Sequence, residues 1–364
     1  MEFCNDIFRV SGDTTDGFVS FTKEVISSSV KVLRQNDLFP PCHFAVIALG
    51  SVAQGEATPY SDLEYAFTVE YEDEYFTKLA VDSYFRIGNL CESHLGTFDI
   101  AELAECVLST LDPPVGGFRI DGIKRHAGNI PTGTGRPDGE RLILTEDGFM
   151  ELYKRSALAP FDGFAGKDDM IASSALIYSS EGSSSTLYNR LQQAIKGYKW
   201  SDSGSKLIAR NRKKLNLFVH DIEQHNYLPE NTRVHTAGYV AIKVKTHIFR
   251  YPTLLVNNLS ICMSIFSSRS WDVLDVLKSF RLLSEENYAH LQIILALSIY
   301  IRAQSYISFG SYTDVVSLYT SSVVDEKGLY HVPQNLFIIL GCVLIPIKRS
   351  IRSSLRQCYH SLKL

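Results

Sequence analysis

Phe44-Ala45-Val46-Ile47-Ala48-Leu49-Gly50-Ser51, then Val52-Ala53-Gln54-Gly55-Glu56-Ala57-Thr58-Pro59-Tyr60-Ser61, then Asp62-Leu63-Glu64-Tyr65-Ala66-Phe67-Thr68-Val69 is the stretch that decides the fold. Its first six residues are uniformly apolar and stop at glycine, the pattern of a strand buried on both faces. Tyr65–Val69 predicts a second strand, so the whole is a strand-loop-strand unit. Gly50 and Ser51 stand where the buried strand turns. Glycine there lets backbone approach a ligand, and turn N–H groups with a hydroxyl can hold phosphate oxygens. Asp62 and Glu64 are two positions apart at the opening of the second strand, so they share a face while Leu63 turns to the core. Two hard oxygen ligands side by side suit Mg²⁺ that also holds a triphosphate. A Gly-Ser turn alone, or an acid-x-acid pair alone, is ordinary in solvated hairpins. Both occur here in one unit, with Pro59 and Ser61 shaping the turn between them. Such a site usually takes a third carboxylate from a neighbouring strand. Asp121, in Phe118-Arg119-Ile120-Asp121, is the first candidate and Asp99 the second, either able to serve as a general base.

Outward from this unit, Phe18–Leu33 carries apolar residues at helical spacing and ends before Pro40-Pro41. Phe76–Leu90 predicts another helix. Gly116–Gly122 predicts a turn, a short strand and a turn, and Asn129–Gly139 a loop. Past the serine-rich Ser179–Ser185, Leu187–Tyr198, Leu207–His225, Val240–Ser267 and Trp271–Ser308 all have helical character. The expected class is α+β: a small mixed-sheet domain over 1–170, then an all-α helical domain over 171–364, the join falling between about Phe149 and Ser185.

Hydrophobic residues make up 45% and charged residues 21% of the 364, which excludes a disordered chain. A net charge of -4 offers no general attraction for nucleic acid or anionic membrane. The seven cysteines (Cys4, Cys42, Cys91, Cys106, Cys262, Cys342, Cys358) are odd in number, scattered and without a C-x-x-C, which argues against a disulfide framework or a zinc site. The first residues lack the basic and apolar regions of a secretory signal, and the apolar run Leu336–Ile347 is too short to span a bilayer. A soluble cytoplasmic protein is expected.

Gly50-Ser51, Gly55-Glu56, Pro59 and Ser61-Asp62-Leu63-Glu64 together resemble the signature of the DNA polymerase β-like nucleotidyltransferases. The likeness is strongest to the branch typified by the N-terminal domain of protein-PII uridylyltransferase. Lys243–Arg250, Phe280–Ser284 and Ile299–Gln304 resemble that branch's helical segments, so the likeness spans roughly Phe44 to Tyr306. It implies Asp62, Glu64 and Asp121 as catalytic ligands of Mg²⁺ or Mn²⁺, and Gly50, Ser51, Glu56, Lys245 and Arg250 as the nucleotide-binding set. It also implies a nucleoside triphosphate donor and possible transfer onto a protein hydroxyl. Two residues depart from the pattern: Gln54 stands where the branch has arginine, and Glu64 where it has aspartate. Glutamate ligates Mg²⁺ from one methylene further out, and losing the arginine removes a charge beside the loop. These departures keep a second reading open, a nucleotide sensor or protein-interaction module on the same fold.

Other features carry less. Lys243, Lys245 and Arg250 on a helix serve either a triphosphate or a solvated basic face. Arg210–Lys214 lacks the interleaved aromatics of a nucleic-acid patch. His220-Asp221 resembles a phosphohydrolase dipeptide, but His220, His225 and His235 lack close ligand spacing. Gly128–Gly135 serves as a substrate loop or as a plain connector. The basic amphipathic Ile347–Arg356 caps a helical domain or docks a partner.

Overall fold

The computed structural model describes residues 2–58, 61, 63–95, 142–158, 167–198, 240–262, 265, 269–309, 315–318, 330–333 and a few positions between 335 and 343. The chain divides into two compact units, one of Gly12–Lys199 and one of Met1–Ser11 with Trp200–Leu364.

The Gly12–Lys199 unit is built on a four-stranded mixed sheet. Helix α1 spans Glu2–Gln35, strand β1 Phe44–Leu49, the single turn α2 Gly50–Ala53 and strand β2 Glu64–Val69. Helix α3 (Glu74–Leu95), strand β3 (Ile143–Leu144), helices α4 (Glu146–Leu158) and α5 (Lys167–Ala172), strand β4 (Ala175–Ser179) and helix α6 (Thr186–Gly197) follow. Strand order is β3-β2-β1-β4, with β1 antiparallel to both neighbours and β2 parallel to β3. All six residues of β1 are buried. Phe44, Val46 and Ala48 share a core with Phe18 and Ile26 of α1 and with Phe76 and Leu79 of α3. Ala45 and Ile47 alternate to the other face and are equally buried, where α4 and α6 approach the sheet. Cover on both faces explains why β1 is an uninterrupted apolar run.

Because β4 pairs with β1, the sheet unit extends to Lys199, past the boundary at residue 170 expected from sequence. Two side-chain caps set α6 after β4: the Ser185 hydroxyl accepts the Tyr188 N–H at 3.2 Å, and the Glu181 carboxylate accepts the Thr186 N–H at 2.7 Å. Helix α1 begins far earlier than Phe18. Its polar first half is a poor helix former, but Cys4 and Phe8 are buried in one core and Thr15 and Thr22 are also buried, so packing overrides propensity.

The second unit corrects the all-α expectation. Val240–Lys243 is strand β5, which pairs antiparallel with β6 (Val315–Leu318), and β6 runs parallel to β7 (His331–Val332). One continuous helix over Val240–Ser267 is corrected too. After β5 the chain makes a π-helical turn over Lys245–Phe249 and only then enters α7, Arg250–Cys262. Lys243 therefore lies on a strand and does not share a helical face with Arg250. Helices α8 (Ser270–Ser279) and α9 (Glu285–Phe309) divide what reads as one helical stretch, with Phe280–Ser284 as the turn. The core gathers Phe249, Leu255, Leu274, Leu277, Leu295 and Val316, among others. Arg302 is buried in it, with its guanidinium 4.4 Å from the Phe249 ring centroid and its Nε donating to Tyr306 Oη at 3.0 Å. Tyr288 Oη donates to Asp275 Oδ1 at 2.5 Å, a part-buried tie between α8 and α9, and accepts from Gln292 Nε2 at 2.6 Å within α9. Among the described residues no helix is long and apolar enough to cross a membrane.

Candidate active site

The expected site falls at one end of the β1–β2 pair. Leu49, the last residue of β1, pairs with Glu64, the first of β2, so the strands fix how far apart the two ends of the loop stand. Directly after Leu49 the backbone turns through Gly50 at φ +59°, the left-handed region that side chains disfavour. A Cβ on Gly50 would also overlap Oε2 of Glu64. Glycine is thus required twice at this corner, by conformation and by the carboxylate folded against its Cα. Leu63 is buried beside the strand and Glu64 is half-buried.

From Gly50 the chain makes a single helical turn and reverses at Gly55, φ +73°. Backbone bonds close this reversal: Gln54 N–H to Gly50 O at 3.0 Å, Gly55 N–H to Val52 O at 3.3 Å and Glu56 N–H to Ser51 O at 2.9 Å. The following residues go inward. Glu56 and Thr58 are each 1% exposed and Ser61 is fully buried. Thr58 and Ser61 lock together: the Ser61 hydroxyl accepts the Thr58 N–H at 2.8 Å, the Ser61 N–H donates to Thr58 O at 2.9 Å, and the two hydroxyls meet at 3.0 Å. This brace ends one residue before Asp62. The Ala57 N–H donates to Thr15 Oγ1 of α1 at 3.3 Å.

Gly50, Ser51, Glu56 and Glu64 therefore stand together in one loop and its flanking strand ends. Asp62, Asp121 and Asp99 lie outside the described residues, as do Pro59, Gly128–Gly135, Arg210–Lys214 and His220-Asp221. Lys245 is half-buried on the π-helical turn and Arg250 is exposed at its end, both in the second unit. Sequence reading did not single out Thr15 or Thr58. Thr15 sits in the polar run Gly12–Gly17, where nothing in the local pattern announces a partner 42 positions away.

Among the described residues no group of three or more His, Cys, Asp or Glu stands together to hold a metal ion. Glu64 offers a carboxylate at a strand terminus, held against a glycine that leaves room for it. Set against models of known protein families the chain matches none, and it matches none of the curated proteins.

Proposed function

We propose that the chain is a metal-dependent nucleotidyltransferase, moving a nucleoside monophosphate from a nucleoside triphosphate to an acceptor hydroxyl. The observation that supports this most is the Gly50–Glu64 corner: a left-handed glycine at the end of a fully buried strand, with the carboxylate of the paired strand folded onto it. An ordinary hairpin needs no such close approach of carboxylate to backbone. Placed one position on either side of the buried Leu63, Asp62 and Glu64 would hold Mg²⁺ or Mn²⁺, with Asp121 as the third ligand. The ion would supply charge neutralisation at the triphosphate during an in-line displacement. Gly50 and Ser51 would bring backbone N–H groups and a hydroxyl to the phosphates, and the buried Glu56 belongs to the same nucleotide-binding set. Asp121 would also accept the proton of the attacking hydroxyl. The acceptor class follows from the uridylyltransferase resemblance and is a protein side chain in this reading.

The test uses the full chain with each common α-labelled nucleoside triphosphate, with Mg²⁺ or Mn²⁺, in wild type and in the Asp62→Ala/Glu64→Ala double variant. Expected is pyrophosphate release or transferred label with one preferred nucleotide, lost at least about a hundredfold in the double variant. Equal signals in both proteins would remove the reading. Nucleotide binding without turnover, in both proteins and across a range of acceptors, would turn it into the sensor reading that Gln54 and Glu64 keep open.

A further inference from the structure

We infer that Thr15 of α1 is a positioning residue for this site, holding the buried Gly55–Thr58 turn in the shape that leads toward the start of β2. The inference rests on the nucleotidyltransferase reading for its functional consequence, and on geometry alone for the clasp itself. Thr15 is 4% exposed, and its Oγ1 receives the Ala57 N–H at 3.3 Å across 42 positions of sequence. Ala57 and its neighbours Glu56 and Thr58 are each 1% exposed, so the backbone there has little water to bond to and must be satisfied by protein. The loop also carries bonds of its own, from Gly55 N–H to Val52 O through the Thr58–Ser61 brace. The Thr15 bond ties the loop to a long helix that also carries one side of the sheet core. A rigid helix is a better reference for a site residue than a loop alone.

Threonine suits this role. In a helix its hydroxyl can return its proton to a carbonyl one turn back, as Thr22 does to Phe18 O at 2.7 Å, and still accept a bond on its oxygen. Valine has the same shape with no acceptor. Thr15→Val leaves the packing almost unchanged and removes one partner of a buried N–H, and Thr15→Ser restores that partner.

The two exchanges are compared with Thr22→Val, which removes a hydroxyl from the same helix without touching the loop. Three quantities are read: amide hydrogen exchange of the peptide covering Gly50–Leu63, binding of a fluorescent UTP or ATP analogue with Mg²⁺, and the thermal midpoint. Expected for Thr15→Val is loop exchange faster by about tenfold and nucleotide binding weaker by a similar factor. Thr15→Ser should keep both near wild type, and Thr22→Val should alter the midpoint without altering either. Loop exchange unchanged in Thr15→Val, or Thr15→Ser failing as Thr15→Val does, would overturn the inference. If the wild type binds neither nucleotide, the nucleotidyltransferase reading fails and the exchange measurement by itself decides the clasp.

Discussion

The Gly50–Glu64 corner and the Val240–Cys262 segment are both places where the chain passes from strand to helix, and they are specified in opposite ways. At Gly50 the turn depends on one residue type: φ is +59° and a Cβ would meet the Glu64 carboxylate. At Val240–Cys262 the chain passes from β5 through a π-helical turn into α7 with no glycine or loop between. Nothing local requires that break. It is held by distant partners: β6 pairs with Val240–Lys243, and Arg302 of α9 sets its guanidinium over Phe249, the last residue of the π-helical turn. One transition is dictated by the backbone, the other by tertiary contact, and only the first announces itself in sequence.

The most direct way to break this contrast is Gly50→Ala. It forces a side chain into the left-handed region, at a cost of about 1–2 kcal/mol, and displaces Glu64 as well. Expected is a total loss of about 2 kcal/mol or more in denaturant unfolding, with nucleotide transfer lost to near background. Stability and transfer close to wild type would mean the corner is not dictated by its glycine.

The same contrast governs how much was legible. The apolar run Phe44–Leu49, the glycine after it and the alternation of Leu63 and Glu64 are local signals; the two strands they predict are present, and the structure pairs them antiparallel. Strand β4 carried a usable signal, Ala175-Leu176-Ile177-Tyr178 between serine-rich ends, but it lay where a domain join was expected. Strand β5 carried almost none. Val240-Ala241-Ile242 is short and its apolar spacing runs on into the helix, while its partner β6 begins at Val315. Periodicity cannot report a pairing across that distance. In the site, the Gly-Ser turn and the Glu64 placement came from spacing. The Thr15 bond did not, because a threonine acceptor inside a polar helix has no local mark.

A pair of tyrosines sharpens the comparison at the level of side chains. Burial pushes Tyr75 of the sheet unit up to about 12, from an ordinary 10.0. Tyr288 of the other unit is also pushed up to about 12, by burial first and then by its bond to Asp275. Tyr75 Oη is buried and meets no hydrogen-bond partner among the described residues, while Tyr288 has two. Tyr75→Phe should therefore be neutral or slightly stabilising, and Tyr288→Phe should cost about 1 kcal/mol, by leaving the buried Gln292 amide of α9 without its partner and removing the bond to the exposed Asp275 of α8. The pH dependence follows the raised values. Below about 10 both phenols stay protonated whether folded or unfolded, so their contribution is fully present. Between about 10 and about 12 only the unfolded chain releases those protons, so stability falls as pH rises. Unfolding curves through this window, with phenolate absorbance, should show a shallower fall in either Phe variant. Equal costs for the two substitutions would mean that the partners around Tyr288 add nothing to the second unit.

The smallest effects come from two helix ends of identical form, one in each unit. Helix α1 closes with the Leu38 N–H on Leu33 O at 3.0 Å and the Asp37 N–H on Arg34 O at 3.1 Å, with Asp37 at φ +58°. Helix α8 closes with the Leu282 N–H on Leu277 O at 3.0 Å and the Arg281 N–H on Lys278 O at 2.8 Å, with Arg281 also at φ +58°. Both are Schellman ends, in which the left-handed position normally belongs to glycine. Aspartate visits that region more readily than a long side chain does, because its short polar group can bond to nearby backbone. Each exchange for glycine relieves strain and loosens the unfolded chain, and the relief should exceed the loss more clearly at Arg281. Arg281→Gly is expected to stabilise by up to about 1 kcal/mol and Asp37→Gly by less. The difference is readable as a shift in denaturant midpoint at unchanged slope. Were Asp37→Gly the more stabilising, the strain at these ends would be set by surroundings rather than by residue type, and the backbone-dictated character claimed for the Gly50 corner would not extend to the other left-handed positions.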